Sequence, residues 1–283
     1  LSFELQVAQS RRQTKKFVGQ LIGPCVILKD ELLDIEAYLE RINYHCALDV
    51  STDTLRELQI AHLKAVPFEN LSIHAGEPIV LDDEALFIKI VKNRRGGFCY
   101  EANGLFAALL RALGFKVTML AAEVASAEGD FGPNFDHMTL MVSLDQRWLV
   151  DVGFGDSFLE PLLLDNRNEQ PQGSRAYRID LDGSQLVLRQ RDENDWKAQY
   201  RFTLEPRVYA DYAEMCHYNQ TSPQSHFTRA RICSRATDEG RITLSDLRWI
   251  TTSKNDGRHE RILTSEEEYA EILRKQFGII MTS

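Results

Sequence analysis

The chain has 283 residues, 43% hydrophobic and 27% charged, which leaves ample material for a buried core and gives no sign of disorder or a fibrous repeat. Its formal net charge of −9 argues against nucleic acid or an anionic membrane surface as the main partner. No apolar run approaches the ~20 residues of a membrane-spanning helix, and the cysteines (Cys25, Cys46, Cys99, Cys216, Cys233) lack any C-x-x-C pair, so they read as reduced thiols of a cytoplasmic protein rather than a disulfide framework or zinc site.

Residues 1–29 stand apart. Arg11, Arg12, Lys15 and Lys16 precede an apolar stretch from Phe17 to Leu28, but Gln20 and Gly23-Pro24 interrupt it, and Lys29-Asp30-Glu31 falls where a secretory cleavage site would lie. This segment reads as a non-native leader or loose extension outside the fold. From Asp30 to Tyr44, Leu32, Ile35, Leu39 and Ile42 recur at helical spacing. Ser51 to Asp53 can cap a second helix carrying Leu55, Leu58 and Val66, ended by Pro67. A third helix opens just after Gly96-Gly97, with Ala102, Leu105, Phe106, Leu109 and Leu113 as its stripe and Gly114 at its C-terminal end.

The period then changes. Phe115–Val124, His137–Leu144, Arg147–Phe154, Tyr177–Leu181, Gln185–Gln190 and Tyr200–Leu204 read as strands, with a polar loop from Asn166 to Arg175. Near the end, Ser265 and Glu268 form a capping box for a helix with Tyr269, Ile272, Leu273 and Phe277 inward and Gly278 at its close. Helices first, then many strands, then strands with a final helix predict an α+β fold rather than alternating βαβ units.

Cys99 lies in R-R-G-G-F-C-Y-E, at the predicted start of the third helix. Unpaired N–H groups at a helix N-terminus favour thiolate over thiol, and the glycines permit a tight turn that presents the sulfur. A cysteine nucleophile also needs a base and a group to orient that base. His137 and Asp151 are candidates, and strand parity tests them. Met138, Leu140, Val142 and Leu144 are apolar in one strand; Trp148, Val150, Val152 and Phe154 are apolar in the next. To share a face, even-numbered residues must pair with even-numbered ones. A two-residue turn at Asp145-Gln146 breaks that rule, whereas an odd-length loop or a bulge keeps it. Centred on Asp145, the hairpin sets Asp151 opposite Thr139, one diagonal step from His137 and within side-chain reach. The expected contact is an Nδ1–H···carboxylate bond of about 2.7–2.9 Å, with Cys99 at the other ring nitrogen.

Six segments resemble the arylamine N-acetyltransferase family: V-P-F-E-N-L (66–71), R-G-G-F-C-Y-E (95–101), F-D-H (135–137), D-V-G-F-G (151–155), F-T-L-E-P-R (202–207) and N-Q-T-S-P-Q-S-H-F (219–227). The similarity runs in order from about Asp30 to the end. It implies an N-terminal helical bundle (30–114) carrying the nucleophile, a central β-barrel (115–205) carrying His and Asp, and a C-terminal α/β lid (206–283), around a cysteine-proteinase-like Cys-His-Asp core. It places the catalytic triad at Cys99, His137 and Asp151, and the acyl-acceptor pocket at Phe68, Phe154 and Gly155, with Glu69 paired to Arg95 behind the cysteine. Coenzyme A contacts fall on Tyr218, Gln224 and Asn134; Pro133 and Asn134 depart from the family's common residues.

The implied activity is metal-free, ping-pong acetylation of an arylamine, hydrazine or arylhydroxylamine from acetyl-CoA through acetyl-Cys99, in xenobiotic metabolism, without nucleic-acid or membrane partners. Two alternatives use the same three residue types. A polyketide amide synthase would take a carrier-bound acyl chain, and a thiol hydrolase or transglutaminase-like enzyme would need a peptide groove.

Overall fold

The computed structural model describes residues 33–192 and 195–281. The 1–29 segment with Cys25, and residues 30–32 of the first predicted helix, lie outside the described residues.

Three features of sequence chemistry set the helical part. Asp34 accepts from Ala37 N at 3.0 Å and opens α1 (Ile35–Arg41), shorter than its apolar spacing suggested. Ser51 accepts from Thr54 N at 3.2 Å to open α2 (Thr52–Ala65), whose helical path stops before Pro67 as the proline rule requires. The two-residue strand β1 (Phe68–Glu69) and short helices α3 (Leu71–His74) and α4 (Asp83–Phe87) lead to α5 (Cys99–Ala112). Gly114, at φ +94°, ends α5 in the left-handed conformation.

The next strands form one eight-stranded antiparallel sheet: β2 (Lys116–Val124), β3 (His137–Ser143), β4 (Arg147–Val150), β5 (Leu162–Leu163), β6 (Gln170–Gln172), β7 (Arg175–Asp182), β8 (Gln185–Asp192) and β9 (Asp195–Phe202), in the order β5-β4-β3-β2-β9-β8-β7-β6. Its outermost strands meet through side chains. Gln170 accepts from Leu163 N at 2.8 Å and donates to Leu163 O at 3.1 Å, while Gln172 accepts from Leu159 N and donates to Glu160 O. These glutamines satisfy edge backbone groups and nearly close the barrel. The expected polar loop at 166–175 therefore contains a strand, one whose Pro171 and glutamines carried no alternating apolar signal.

Both faces of β2–β4 are buried. Met119, Ala121, Met138, Leu140, Val142 and Val150 pack on α5 within the helical core, while Leu120, Ala122 and Leu149 point into the barrel with Tyr177, Ile179, Leu188, Tyr200 and Phe202.

After the barrel come α6 (Ala213–Thr221), α7 (His226–Arg229) and a second sheet. That sheet runs β1-β10-β11-β12-β13, with β10 (Ile232–Ala236), β11 (Gly240–Ser245), β12 (Arg248–Ser253) and β13 (Gly257–Ile262), so β1 of the helical part completes it. Helix α8 (Glu266–Ile272) is capped by Ser265, which accepts from Glu268 N at 3.3 Å. The reciprocal half of the expected capping box is displaced by one residue, because Glu268 accepts from Thr264 N instead. Gly278 closes the helical segment at φ +71°. The fold is α+β: a helical bundle, a nearly closed barrel, and a C-terminal sheet with helices.

Candidate active site

Cys99 is the first residue of α5. The turn before it depends on both glycines. A Cβ on Gly96 would run into the Pro67 carbonyl oxygen, and one on Gly97 would sit 2.6 Å from the Glu101 Cβ. Glu101 accepts from Phe98 N at 3.1 Å, which satisfies an N-terminal donor of the helix, and pairs with Lys89 at 2.6 Å. Glu69 and Arg95 meet at 3.0 Å, as the resemblance implied. Glu69 also accepts from Leu71 N and Gly96 N, so this buried carboxylate fixes the backbone on both sides of the turn. Burial raises Glu69, but Lys89, Arg95 and the Leu71 N–H outweigh it and hold the carboxyl below its ordinary value.

On the barrel side, the β3–β4 register is Leu140↔Val150, Met141↔Leu149, Val142↔Trp148 and Ser143↔Arg147. Even residues face even ones, and the loop is three residues centred on Asp145, as the apolar pattern required. His137 and Asp151 share the face that points into the barrel mouth, at 2.7 Å. The contacting atom is the imidazole Nε2, not the expected Nδ1. Strand β4 stops at Val150, so Asp151 approaches from beyond the ladder, and the ring between Phe154 and Tyr200 presents its far nitrogen to the carboxylate. Nδ1 is left as the second ring nitrogen.

Asp151 is fully satisfied. One oxygen takes His137 Nε2 and the Tyr200 hydroxyl (3.1 Å); the other takes Asn103 Nδ2 and Gly153 N, each at 2.9 Å. Burial raises this carboxyl, yet the neighbouring imidazole and these donors outweigh burial and hold it below its ordinary value.

Asn103 joins the two halves of the site. It lies one turn after Cys99 on α5, donates to Met138 O at 2.7 Å as well as to Asp151, and accepts from Val152 N at 2.8 Å. Directly beside it, a Cβ on Gly153 would lie 2.8 Å from the Cys99 Cα, so only glycine lets the Asp151 segment touch the cysteine's backbone. Sequence reasoning missed both Asn103 and Tyr200. A lone Asn four residues after Cys99 in an apolar stripe was a legible signal for the first; none existed for Tyr200.

The Cys99 sulfur lies 4.0 Å from Asp136 O. Burial pushes its thiol up, the Met138 N–H pulls it down, and the Asp136 and Asp151 carboxylates push it up again, with a net upward shift. At this helix N-terminus, enclosure works against the N–H field that favours the thiolate.

Phe154 meets His137 edge-on at 5.2 Å, and Phe68 lies 3.7 Å from where a Gly155 side chain would begin, with Gly155 at φ +91°. Phe68, Phe154 and Gly155 together line a cleft of about 410 Å³ between the barrel mouth and the C-terminal sheet. Tyr218 is exposed on α6 and Gln224 is exposed in the turn after it; the neighbouring Asn219 reaches inward instead, donating to the Tyr100 hydroxyl at 3.2 Å. That hydroxyl donates to Phe135 O at 2.7 Å, which links α6 to the loop holding Asn134. Asn134 itself is exposed, with its side chain on Phe135 N.

Among the described residues, Cys46, Cys99, Cys216 and Cys233 are free thiols, no group of three His, Cys, Asp or Glu is arranged to hold a metal ion, and no helix is long and apolar enough to cross a membrane.

A family model described as N-acetyltransferase matches residues 51–283. Arylamine N-acetyltransferase 2 of Mus musculus is 35% identical over 274 residues, covering 87% of this chain and 94% of that protein. Arylamine N-acetyltransferase of Escherichia coli is 33% identical over 245 residues, covering 86% and 87%. The solved structure of Mycobacterium marinum arylamine N-acetyltransferase in complex with CoA superposes with a TM-score of 0.81 at 34% identity, over 87% of this chain and 93% of that one.

Proposed function

This chain belongs to the arylamine N-acetyltransferase family, and from that premise we propose that it moves an acetyl group from acetyl-CoA to an arylamine, hydrazine or arylhydroxylamine through a thioester on Cys99. The observation that carries this reading is the buried His137–Asp151 pair, fastened by Asn103 to the helix that begins at Cys99.

Asp151 and its four donors favour a proton on Nε2, which leaves Nδ1 as a base toward the sulfur. Because burial opposes an isolated thiolate, the Cys99 proton passes to Nδ1 as the sulfur bonds to the thioester carbonyl carbon. The tetrahedral adduct collapses, the carbon–sulfur bond to coenzyme A breaks, and the leaving thiolate takes the proton from His137. The acceptor nitrogen then attacks acetyl-Cys99 and gives its proton to Nδ1. Cys99 leaves as a thiolate and recovers that proton. Two half-reactions through one enzyme thioester give ping-pong kinetics.

In this reading Phe68, Phe154 and Gly155 hold the aromatic acceptor, while Tyr218, Gln224 and Asn134 contact coenzyme A. The free thiols support a reducing, cytoplasmic setting, where such chemistry would serve xenobiotic metabolism.

Incubation with acetyl-CoA alone should add one acetyl group, located at Cys99 by intact and peptide mass, and Cys99→Ser should lose transfer to 2-aminofluorene. Acetylation of another cysteine, or normal turnover by Cys99→Ser, would overturn the assignment.

A further inference from the structure

Two phenols lie close to the Cys99 sulfur. Tyr100 follows Cys99 on α5, and Tyr212 ends the short turn Tyr209–Tyr212 that leads into α6. Both side chains are fully buried in the core cluster that holds Cys99, with ring centroids 5.6 Å apart. Backbone bonds fix the Tyr212 turn: Arg207 N donates to Met119 O on β2 at 3.0 Å, and Val208 N donates to Asp211 Oδ2 at 2.9 Å. Phe135 meets the Tyr212 ring edge-on at 5.4 Å.

The two hydroxyls differ. Tyr100 donates to Phe135 O at 2.7 Å and accepts from Asn219 Nδ2 at 3.2 Å, so its proton is committed. The Tyr212 hydroxyl is shut off from solvent and makes no hydrogen bond among the described residues. A buried hydroxyl without a partner weakens a fold, which points to an acceptor met at another stage of the reaction. Burial raises both phenols above their ordinary value and the neighbouring Cys99 raises them further, so each keeps its proton and can only lend it. Arg207, its guanidinium 5.1 Å from the Phe135 ring centroid, acts on the Tyr212 oxygen in the opposite sense and eases negative charge there.

We propose that the Tyr212 hydroxyl is a hydrogen-bond donor to the oxyanion that forms when Cys99 attacks an acyl group. This rests on the acyl-transfer reading of the same site. As the sulfur bonds to the carbonyl carbon, the C=O π electrons move onto oxygen, and the Tyr212 O–H donates to that oxygen without giving up its proton. When the carbon–sulfur bond to coenzyme A breaks, the electrons return to the carbonyl and the thioester on Cys99 remains. The second half-reaction passes through the same kind of adduct. A preorganised donor with no partner in the resting enzyme stabilises the adduct selectively, and that lowers the barrier.

The test sets acylation against alkylation of the same sulfur. Iodoacetamide alkylates Cys99 by direct displacement and forms no oxyanion, whereas acetyl-CoA and p-nitrophenyl acetate both form one. In Tyr212→Phe, single-turnover acetylation by either donor should fall about a hundredfold while alkylation stays within about twofold of wild type. The melting temperature should hold or rise, because the hydroxyl removed has no partner. Tyr100→Phe is the internal comparison: its hydroxyl holds the Phe135 carbonyl, so its loss should change acylation and alkylation to the same degree.

An acylation loss below about threefold in Tyr212→Phe would overturn the inference. So would an equal loss of alkylation, because the hydroxyl would then serve the thiol and not the adduct. A loss confined to acetyl-CoA would assign the hydroxyl to coenzyme binding and overturn it too, as would an acyl-specific loss in Tyr100→Phe. If the wild-type protein is alkylated at Cys99 but takes acetyl from neither donor, the acyl-transfer reading itself falls, and this inference with it.

Discussion

In the barrel, Leu120, Leu149, Ile179, Leu188, Tyr200 and Phe202 are almost wholly enclosed, whereas every residue of β13 in the C-terminal sheet is exposed. Both sheets are antiparallel, and the difference lies in what covers them. The barrel sheet is packed on α5 from one side and on itself from the other. A thin sheet faces the cleft with arginines and threonines. Rigid burial suits a base that must hold one nitrogen toward a sulfur.

The largest expected difference concerns Asp151→Asn. Four donors surround the carboxylate, so an amide NH₂ turned either way faces N–H or O–H groups, and the preference for a proton on Nε2 is lost. The rate of Cys99 acetylation should fall by about a thousandfold while far-UV circular dichroism keeps its native form. A loss below tenfold would mean that the pair does not govern the cysteine.

Next in size, Asn103→Ala strips partners from buried Met138 O and Val152 N and one donor from Asp151. Roughly 3 kcal/mol of stability should disappear, measured by urea unfolding, because each unsatisfied buried group costs about 1–3 kcal/mol. Gly153→Ala should destabilise by about 2 kcal/mol, since its Cβ would crowd backbone rather than a yielding side chain. Its acetylation rate should drop along with its stability.

A pH series sharpens the same contrast. Asp151 has a folded-state pKa below its ordinary value of 3.8, so its contribution is present above that value and is lost as pH falls toward the folded-state value. The acid limb of the stability curve should therefore be shallower in Asp151→Asn than in wild type. Identical slopes below about pH 4 would show that the carboxylate adds nothing to acid sensitivity. The smallest effect belongs to the exposed sheet: Ile262→Ser on β13 should change stability by less than about 0.5 kcal/mol. A larger change would mean that this strand is covered by something.

Local signals were enough for the caps at Ser51 and Ser265, the stop before Pro67, and the helix opening at Cys99, because each depends on residues within one turn. Hairpin parity went further and paired even with even around Asp145, since side-chain alternation ties register to burial. It could not tell that the face bearing His137 and Thr139 points into a barrel instead of toward water; that depends on β9 folding back beside β2 and bringing Tyr200 with it. Nor could it choose the ring nitrogen, which was decided by where β4 ends and how Phe154 and Tyr200 hold the imidazole. The Cys99 thiol shows the same division. Sequence placed it at a helix N-terminus, a favourable local field, but burial works against that field, because desolvation is set by everything around the sulfur and not by its neighbours along the chain.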